Sequence, residues 1–159
     1  MLALTRKTEY ALIALAYLAQ HRGDVANARA IARRYRVPAS LLMNVLKRLA
    51  HEGLLQSVRG SKGGYILAQD PHDVSLHDLI VAVEGPMHFV QCAGAPSDDE
   101  CELTDVCPVS RPVRRIHDRL EQFLRDVTLA EIAADACCCS RDQPAARVPV
   151  AIARMESKV

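Results

Sequence analysis

Cys92, Cys101 and Cys107 share one segment punctuated by Gly and Pro, with eight residues between the first two and five between the last two. Thiolates are soft ligands for iron–sulfur clusters, zinc or copper, each of which responds to redox state or metal supply. Structural zinc sites usually draw on close pairs of the C-x2-C type plus a fourth Cys or His, and no such close pair stands within the segment. Three thiolates leave one position of a cluster to be filled by another ligand. On residue types alone, a cluster, zinc and simple thiol redox chemistry all stay open. The segment also carries Asp98, Asp99, Glu100, Glu102 and Asp105 with no Lys or Arg over 85–107. That acidity would raise thiol pKa values and repel an anionic cluster, so it lends no support to one.

Positioning such a loop requires the flanking elements. Thr5 to about His21 reads as a helix, with Leu12, Leu15, Ala16 and Ala19 on one face. Asn27 caps a short helix, Ala28 to Tyr35, and Val37-Pro38 breaks it. A further helix from Ala39 to His51 carries Leu42, Val45, Leu46 and Leu49 as a stripe and stops at Gly53. Two helices joined by so short a turn form a helix-turn-helix. Two short apolar runs, Leu54–Val58 and Tyr65–Ala68, enclose the basic Gly-rich Arg59-Gly60-Ser61-Lys62-Gly63-Gly64 and predict a β-hairpin wing. Ser75, supported by Asp78, caps the helix that runs to Glu84.

Beyond the loop, Val113, Ile116, Leu120, Phe123 and Val127 recur at spacings of mostly three and four. Such a seam belongs to a long helix that wants a partner helix. A small winged domain has little surface to cover it, so a homodimer is expected. Thr128 and Glu131 form a capping box that opens a short last helix. The fold class is therefore mainly α with a small β-hairpin: a winged helix-turn-helix domain over 1–84, a cysteine-bearing loop over 85–107, a dimerisation helix and short C-terminal helix over 108–135, and a flexible tail over 136–159.

Charge divides along the same line. Residues 1–72 hold eleven Lys/Arg against four Asp/Glu, a difference of +7, and residues 73–159 hold nine against fifteen, a difference of −6. One half is built to meet a polyanion and the other is not. On the second helix of the helix-turn-helix, Ser40, Met43, Asn44, Lys47 and Arg48 are the candidates to face a DNA major groove. Asn pairs bidentately with adenine, Ser serves several base edges, Lys reaches guanine or phosphate, and Met43 can meet a thymine methyl. On the wing, Arg59, Ser61 and Lys62 are the candidates for phosphate or minor-groove contact. Arg33, Arg34 and Arg36 are further phosphate candidates.

The opening residues Met1–Gln20 show no secretory pattern, and no run of apolar residues is long enough for a membrane span. A cytoplasmic protein is expected, in which six cysteines are ligands or redox thiols sooner than disulfides. Neither a Ser-His-Asp order, a phosphate-binding loop nor a pair of catalytic carboxylates is evident, which argues against an enzyme and against a small-molecule substrate. Cys137, Cys138 and Cys139 cannot all face one ion if helical, because consecutive residues point about 100° apart.

Several motifs together resemble the IscR/NsrR family of winged-helix regulators: Leu4-Thr5, Lys7 and Tyr10-Ala11, then Gly53-Leu54 to Val58-Arg59-Gly60, and Gly63-Gly64-Tyr65. So do Ser75-Leu76 through Val83-Glu84-Gly85, the loop ending Cys107-Pro108, and Val127–Glu131. The resemblance covers roughly 1–135, and Cys101-Glu102-Leu103 to Cys107-Pro108-Val109 looks most like the regulators of SUF iron–sulfur assembly genes. It implies a dimeric repressor on a pseudopalindromic operator, sensing iron–sulfur, redox or nitric oxide status through a [2Fe–2S] or [4Fe–4S] cluster on Cys92, Cys101 and Cys107. IscR-type members place a His ligand three residues after the last cysteine, where this chain has Ser110. NsrR-like members use a carboxylate of the other subunit early in the first helix, a position matched by Glu9, with His88, His117 and solvent as rivals. A zinc or thiol-redox repressor without a cluster, and a cluster scaffold or carrier, are the alternative functions.

Overall fold

Short polar side chains cap several of the helices. The computed structural model describes residues 4–60, 63–87 and 106–136. Helix α1 (Arg6–Gln20) begins at Thr5, whose side chain accepts from the Thr8 amide. Helix α2 (Ala28–Tyr35) begins at Asn27, whose Oδ1 accepts from the Arg29 amide at 2.9 Å. After Arg36, held at a left-handed φ of 54°, α3 (Ala39–His51) follows and completes the helix-turn-helix. Strands β1 (Leu55–Val58) and β2 (Gly64–Leu67) pair antiparallel, with Leu55 opposite Leu67 and Val58 opposite Gly64. Helix α4 (Leu76–Glu84) opens with the expected capping box of Ser75 and Asp78. Helix α5 (Ser110–Asp126) and helix α6 (Leu129–Ala136) complete the chain order. The expectation of a mainly helical winged fold with one small hairpin is met.

One core organises these elements. Ala11, Leu15 and Leu18 of α1, Ile31 of α2, Leu42, Leu46 and Leu49 of α3, and Leu79, Ile80 and Val83 of α4 are all buried in it. Fully burying one such Leu, Ile or Val contributes roughly 1.5–3 kcal/mol relative to leaving it in water. The wing is tied down by a bridge that periodicity does not reveal: Ala26 and Tyr65 exchange both backbone hydrogen bonds, at 3.0 and 2.9 Å. Gly64 makes this approach possible, since a Cβ there would lie 2.3 Å from the Ala26 oxygen.

The two C-terminal helices behave differently from each other. Helix α6 turns back onto α1, burying Leu129 and Ala133 and accepting Gln20 Nε2 at the Ala133 oxygen, 2.8 Å away. It thus joins the winged domain although it follows α5 in sequence. Helix α5 meets α4 on one side only. His77 Nε2 lies 3.1 Å from Glu121 Oε1, which also accepts from Arg125 Nη2 at 3.0 Å. Glu121 has its carboxyl held below the usual range: burial pushes it up, but hydrogen bonds from Arg125 and His77 outweigh that. His117 is 8% exposed, and the Nδ1 atoms of His77 and His117 have no hydrogen-bond partner among the described residues. The opposite side of α5 leaves Val109, Ile116 and Phe123 more than half exposed. Val127, expected in that seam, instead ends the helix and accepts the Leu76 amide at 2.8 Å.

The last turn of α4 holds the N-terminus of α1. The Glu84 carboxylate accepts the Thr5 hydroxyl and, at 2.6 Å, the Thr8 hydroxyl. An anion at a helix N-terminus is favoured by the exposed amides there. The Thr5 and Thr8 hydrogen bonds hold the Glu84 carboxyl below its ordinary value of 4.5. Its stabilising effect is therefore present above that value and is lost as pH falls through the lowered folded one. Glu84→Gln should melt below wild type at pH 7, and the gap should close on acidification when melting is followed by circular dichroism. A gap independent of pH would remove the charge from this role.

Candidate DNA interface and cysteine site

The stripe that buries Leu42, Val45, Leu46 and Leu49 turns the other face of α3 outward. Ser40, Asn44 and Lys47 are exposed on it, and Met43 is half-buried, its side chain packed partly on the core. Arg59 is exposed at the tip of β1, next to Gly60 with φ 125°. A Cβ on Gly63 would come within 2.4 Å of the Val58 oxygen, so the tip closes only with glycine there. Ser61 and Lys62, the other wing candidates, lie outside the described residues. A groove between α2 and the start of α3 is lined by Asn27, Arg29, Arg33, Val37 and Ala39. Among the described residues, Arg29, Arg33, Lys47 and Arg59 have no ion-pair partner, which leaves their charges available to an external anion.

Two of the candidate arginines, both exposed, also make contacts within the fold. Arg34 lies over the Tyr17 and Tyr35 rings, 5.8 and 5.9 Å from their centroids. Arg48 reaches sideways from α3, its Nε donating to the Ala82 oxygen of α4 at 2.7 Å. Helical spacing puts Arg48 next to Lys47 but about 100° around the axis. Arg48 stays exposed, about 40° around the axis from Asn44 four residues earlier, while its Nε reaches α4, a contact invisible in sequence.

Cys107 is a free, half-buried thiol at the entrance to α5. Its carbonyl accepts from Ser110, from the hydroxyl at 3.0 Å and the amide at 3.3 Å. Ser110 thus closes the first turn with its own side chain and is committed to the backbone. Glu9 is exposed on the first turn of α1, 3.5 Å from Arg6, a surface pair worth little. Its carboxylate is therefore open to a competing partner. His117 lies seven residues into α5, roughly 10 Å along the axis from Ser110 at 1.5 Å per residue. Buried at that distance, it does not share an ion with Cys107 of the same chain. Cys92, Cys101, His88 and Cys137 to Cys139 lie outside the described residues. Among the described residues no group of three or more metal-ligating side chains comes together. The donors that are described, a free thiol and an exposed carboxylate, fit one soft and one exchangeable ligand of an iron–sulfur cluster.

Residues 4–135 match the family model of Rrf2, an iron-dependent transcriptional regulator. The chain belongs to the Rrf2 family, and is a transcription regulator of the IscR/NsrR type, not an enzyme. It is 33% identical over 105 residues to the HTH-type transcriptional regulator NsrR of Bacillus subtilis, covering 65% of this chain and 71% of that one. The solved structure of T. potens IscR is similar with a TM-score of 0.66 and 30% identity, over 90% of this chain and 94% of that one. That of CymR, the global cysteine regulator of B. subtilis, gives 0.68 and 26%, over 85% and 98%. No helix among the described residues is long and apolar enough to cross a membrane.

Removing one phosphate-facing cation should weaken DNA binding on all sequences and reduce the salt slope by about one. Arg59→Ala should show this in anisotropy titrations at several salt concentrations. Asn44→Ala should instead lose discrimination at one base pair, typically by about 1–3 kcal/mol, with the salt slope kept. The reverse pattern would reassign the two side chains.

Proposed function

We propose that this chain is a homodimeric repressor whose operator affinity is set by an iron–sulfur cluster on Cys92, Cys101 and Cys107. The carrying observation is the position of Cys107, a free thiol where the chain passes from the cysteine segment into the helix with the uncovered seam. Anything that pulls on this thiol also pulls on the first turn of α5. Ser110 has its hydroxyl on the Cys107 carbonyl, so it does not supply the fourth ligand. Glu9 of the other subunit is the best candidate for it, being exposed and only weakly engaged. A carboxylate on iron is an exchangeable ligand, suited to a reactive sensor, and the cluster is of either the [2Fe–2S] or the [4Fe–4S] type.

When bound, the cluster supplies a redox state and an integrity that change with iron supply, oxygen or nitric oxide. The protein's own part is mechanical and electrostatic. Ser40, Met43, Asn44 and Lys47 read a major groove while Arg59, with Ser61 and Lys62, holds the backbone from the wing. The seam of Val109, Val113, Ile116, Leu120 and Phe123 pairs with its copy and presents two recognition helices to a pseudopalindromic operator in a cytoplasmic setting. A difference in operator affinity between cluster states is what turns such a dimer into a switch. A second reading, thiol redox without a cluster, draws on the free Cys107 and on the likeness to CymR.

Two variants separate these parts. Cys107→Ala should abolish visible absorbance of anaerobically purified protein and the accompanying iron and sulfide, whereas unchanged spectra would remove Cys107 from the ligand set. Phe123→Glu should turn a dimer into a monomer by light scattering and weaken operator binding by more than tenfold, the order of loss expected when two half-sites are no longer bound together. A Phe123→Glu protein that stays dimeric would move the interface elsewhere.

A further inference from the structure

Arg48 stands in the recognition helix yet is engaged with α4. Its Nε donates at 2.7 Å to the oxygen of Ala82, in the last turn of α4. Carbonyls of a last turn have no partner within their own helix, and a cation beside them is favoured by the helix dipole. The next available bond in that turn, from the Gly85 amide, goes to the Val81 oxygen. The guanidinium is thus a directional tie between α3 and α4, which share apolar core packing, and its charge also acts on Glu84 at the end of α4. Apolar contact resists separation of two helices but tolerates sliding and rotation better than a hydrogen bond of fixed geometry does.

Helix α4 is equally tied on its other side. The Leu76 amide donates to the Val127 oxygen at 2.8 Å, the Leu129 amide donates to the Val74 oxygen at 2.8 Å, and His77 meets Glu121 at 3.1 Å. An unbroken series of polar ties therefore runs from the recognition helix through α4 to α5. The face of α5 turned away from α4 carries the uncovered Ile116 and Phe123.

We propose that Arg48 is a positioning residue that sets the distance and rotation of the recognition helix relative to the dimer seam, and so selects the spacing between operator half-sites. The inference rests on the dimeric operator reading given above. Its physical basis is the pitch of DNA: each inserted base pair turns the second half-site by roughly 35° and moves it along the axis, so a rigid arm fits one spacing only. A loosened α3–α4 joint would let each recognition helix follow the groove and accept neighbouring spacings.

The test uses the full-length dimer and a duplex that the wild-type protein selects from a random library, together with versions carrying one base pair inserted or removed between the half-sites. Wild type should lose on the order of tenfold in affinity for either altered duplex, comparable with a wrong base pair. Arg48→Met should compress that penalty to about twofold or less, while single half-site duplexes bind as tightly as to wild type. Arg48→Lys keeps the charge but not the Nε geometry, and should fall between the two; it also carries the test should Arg48→Met not fold. A uniform loss of affinity at every spacing, restored by Lys, would make Arg48 a phosphate contact and overturn the inference. An unchanged spacing penalty in both variants would overturn it while leaving the dimeric reading intact. A wild-type protein indifferent to spacing would instead overturn the dimeric operator reading, and this inference with it.

Discussion

Helix α4 is wedged between three neighbours, and its burial fixes where everything else can stand. Leu79, Ile80, Ala82 and Val83 go into the common core with the apolar faces of α1 and α3. That apolar burial supplies most of the stabilisation, at roughly 25 cal/mol for each Å² removed from water. The polar ends of the helix supply direction. Its N-terminal turn meets the C-terminal end of α5 through Leu76 and His77, and its C-terminal turn meets α3 through Ala82 and α1 through Glu84. The DNA-facing surface, the uncovered seam and the entry to the cysteine segment are consequently all referred to one short helix.

Much of this was legible in the sequence because it depends on local chemistry. Thr5, Asn27, Ser75 and Thr128 are side chains that compete for backbone amides, and each starts a helix where expected. The apolar stripe of α3 fixes its inward face and so, by subtraction, the outward set of Ser40, Asn44 and Lys47. The wing follows from two apolar runs around glycines. The family itself was readable from motifs spread over most of the chain.

What escaped the sequence is non-local. Nothing in the octet Leu129–Ala136 says that it returns to α1, because alanine-rich helices pack equally well in many places. The approach of Gly64 to Ala26 involves segments far apart in sequence and is signalled only by an adjacent pair of glycines. Arg48 looks like a DNA ligand by its charge and its helix, and only the position of α4 reveals its bond to the Ala82 oxygen. His77 shows no role in the sequence until α4 and α5 bring it onto Glu121. The ligand question has the same character. The sequence already lacks the His at Ser110, whereas a carboxylate from another subunit leaves no trace in one chain's contacts.

In the proposed regulator, the state of a cysteine-bound cluster changes how tightly a dimer of this chain holds DNA. The most direct measurement compares the affinity for one selected operator duplex before and after removal of iron from a single anaerobic preparation, with iron and sulfide quantified on both samples. Near-equal iron and sulfide at the outset are expected, with an affinity that changes several-fold or more on removal and returns on reconstitution. Identical affinities in the two states, or a protein that never takes up iron and sulfide, would contradict it.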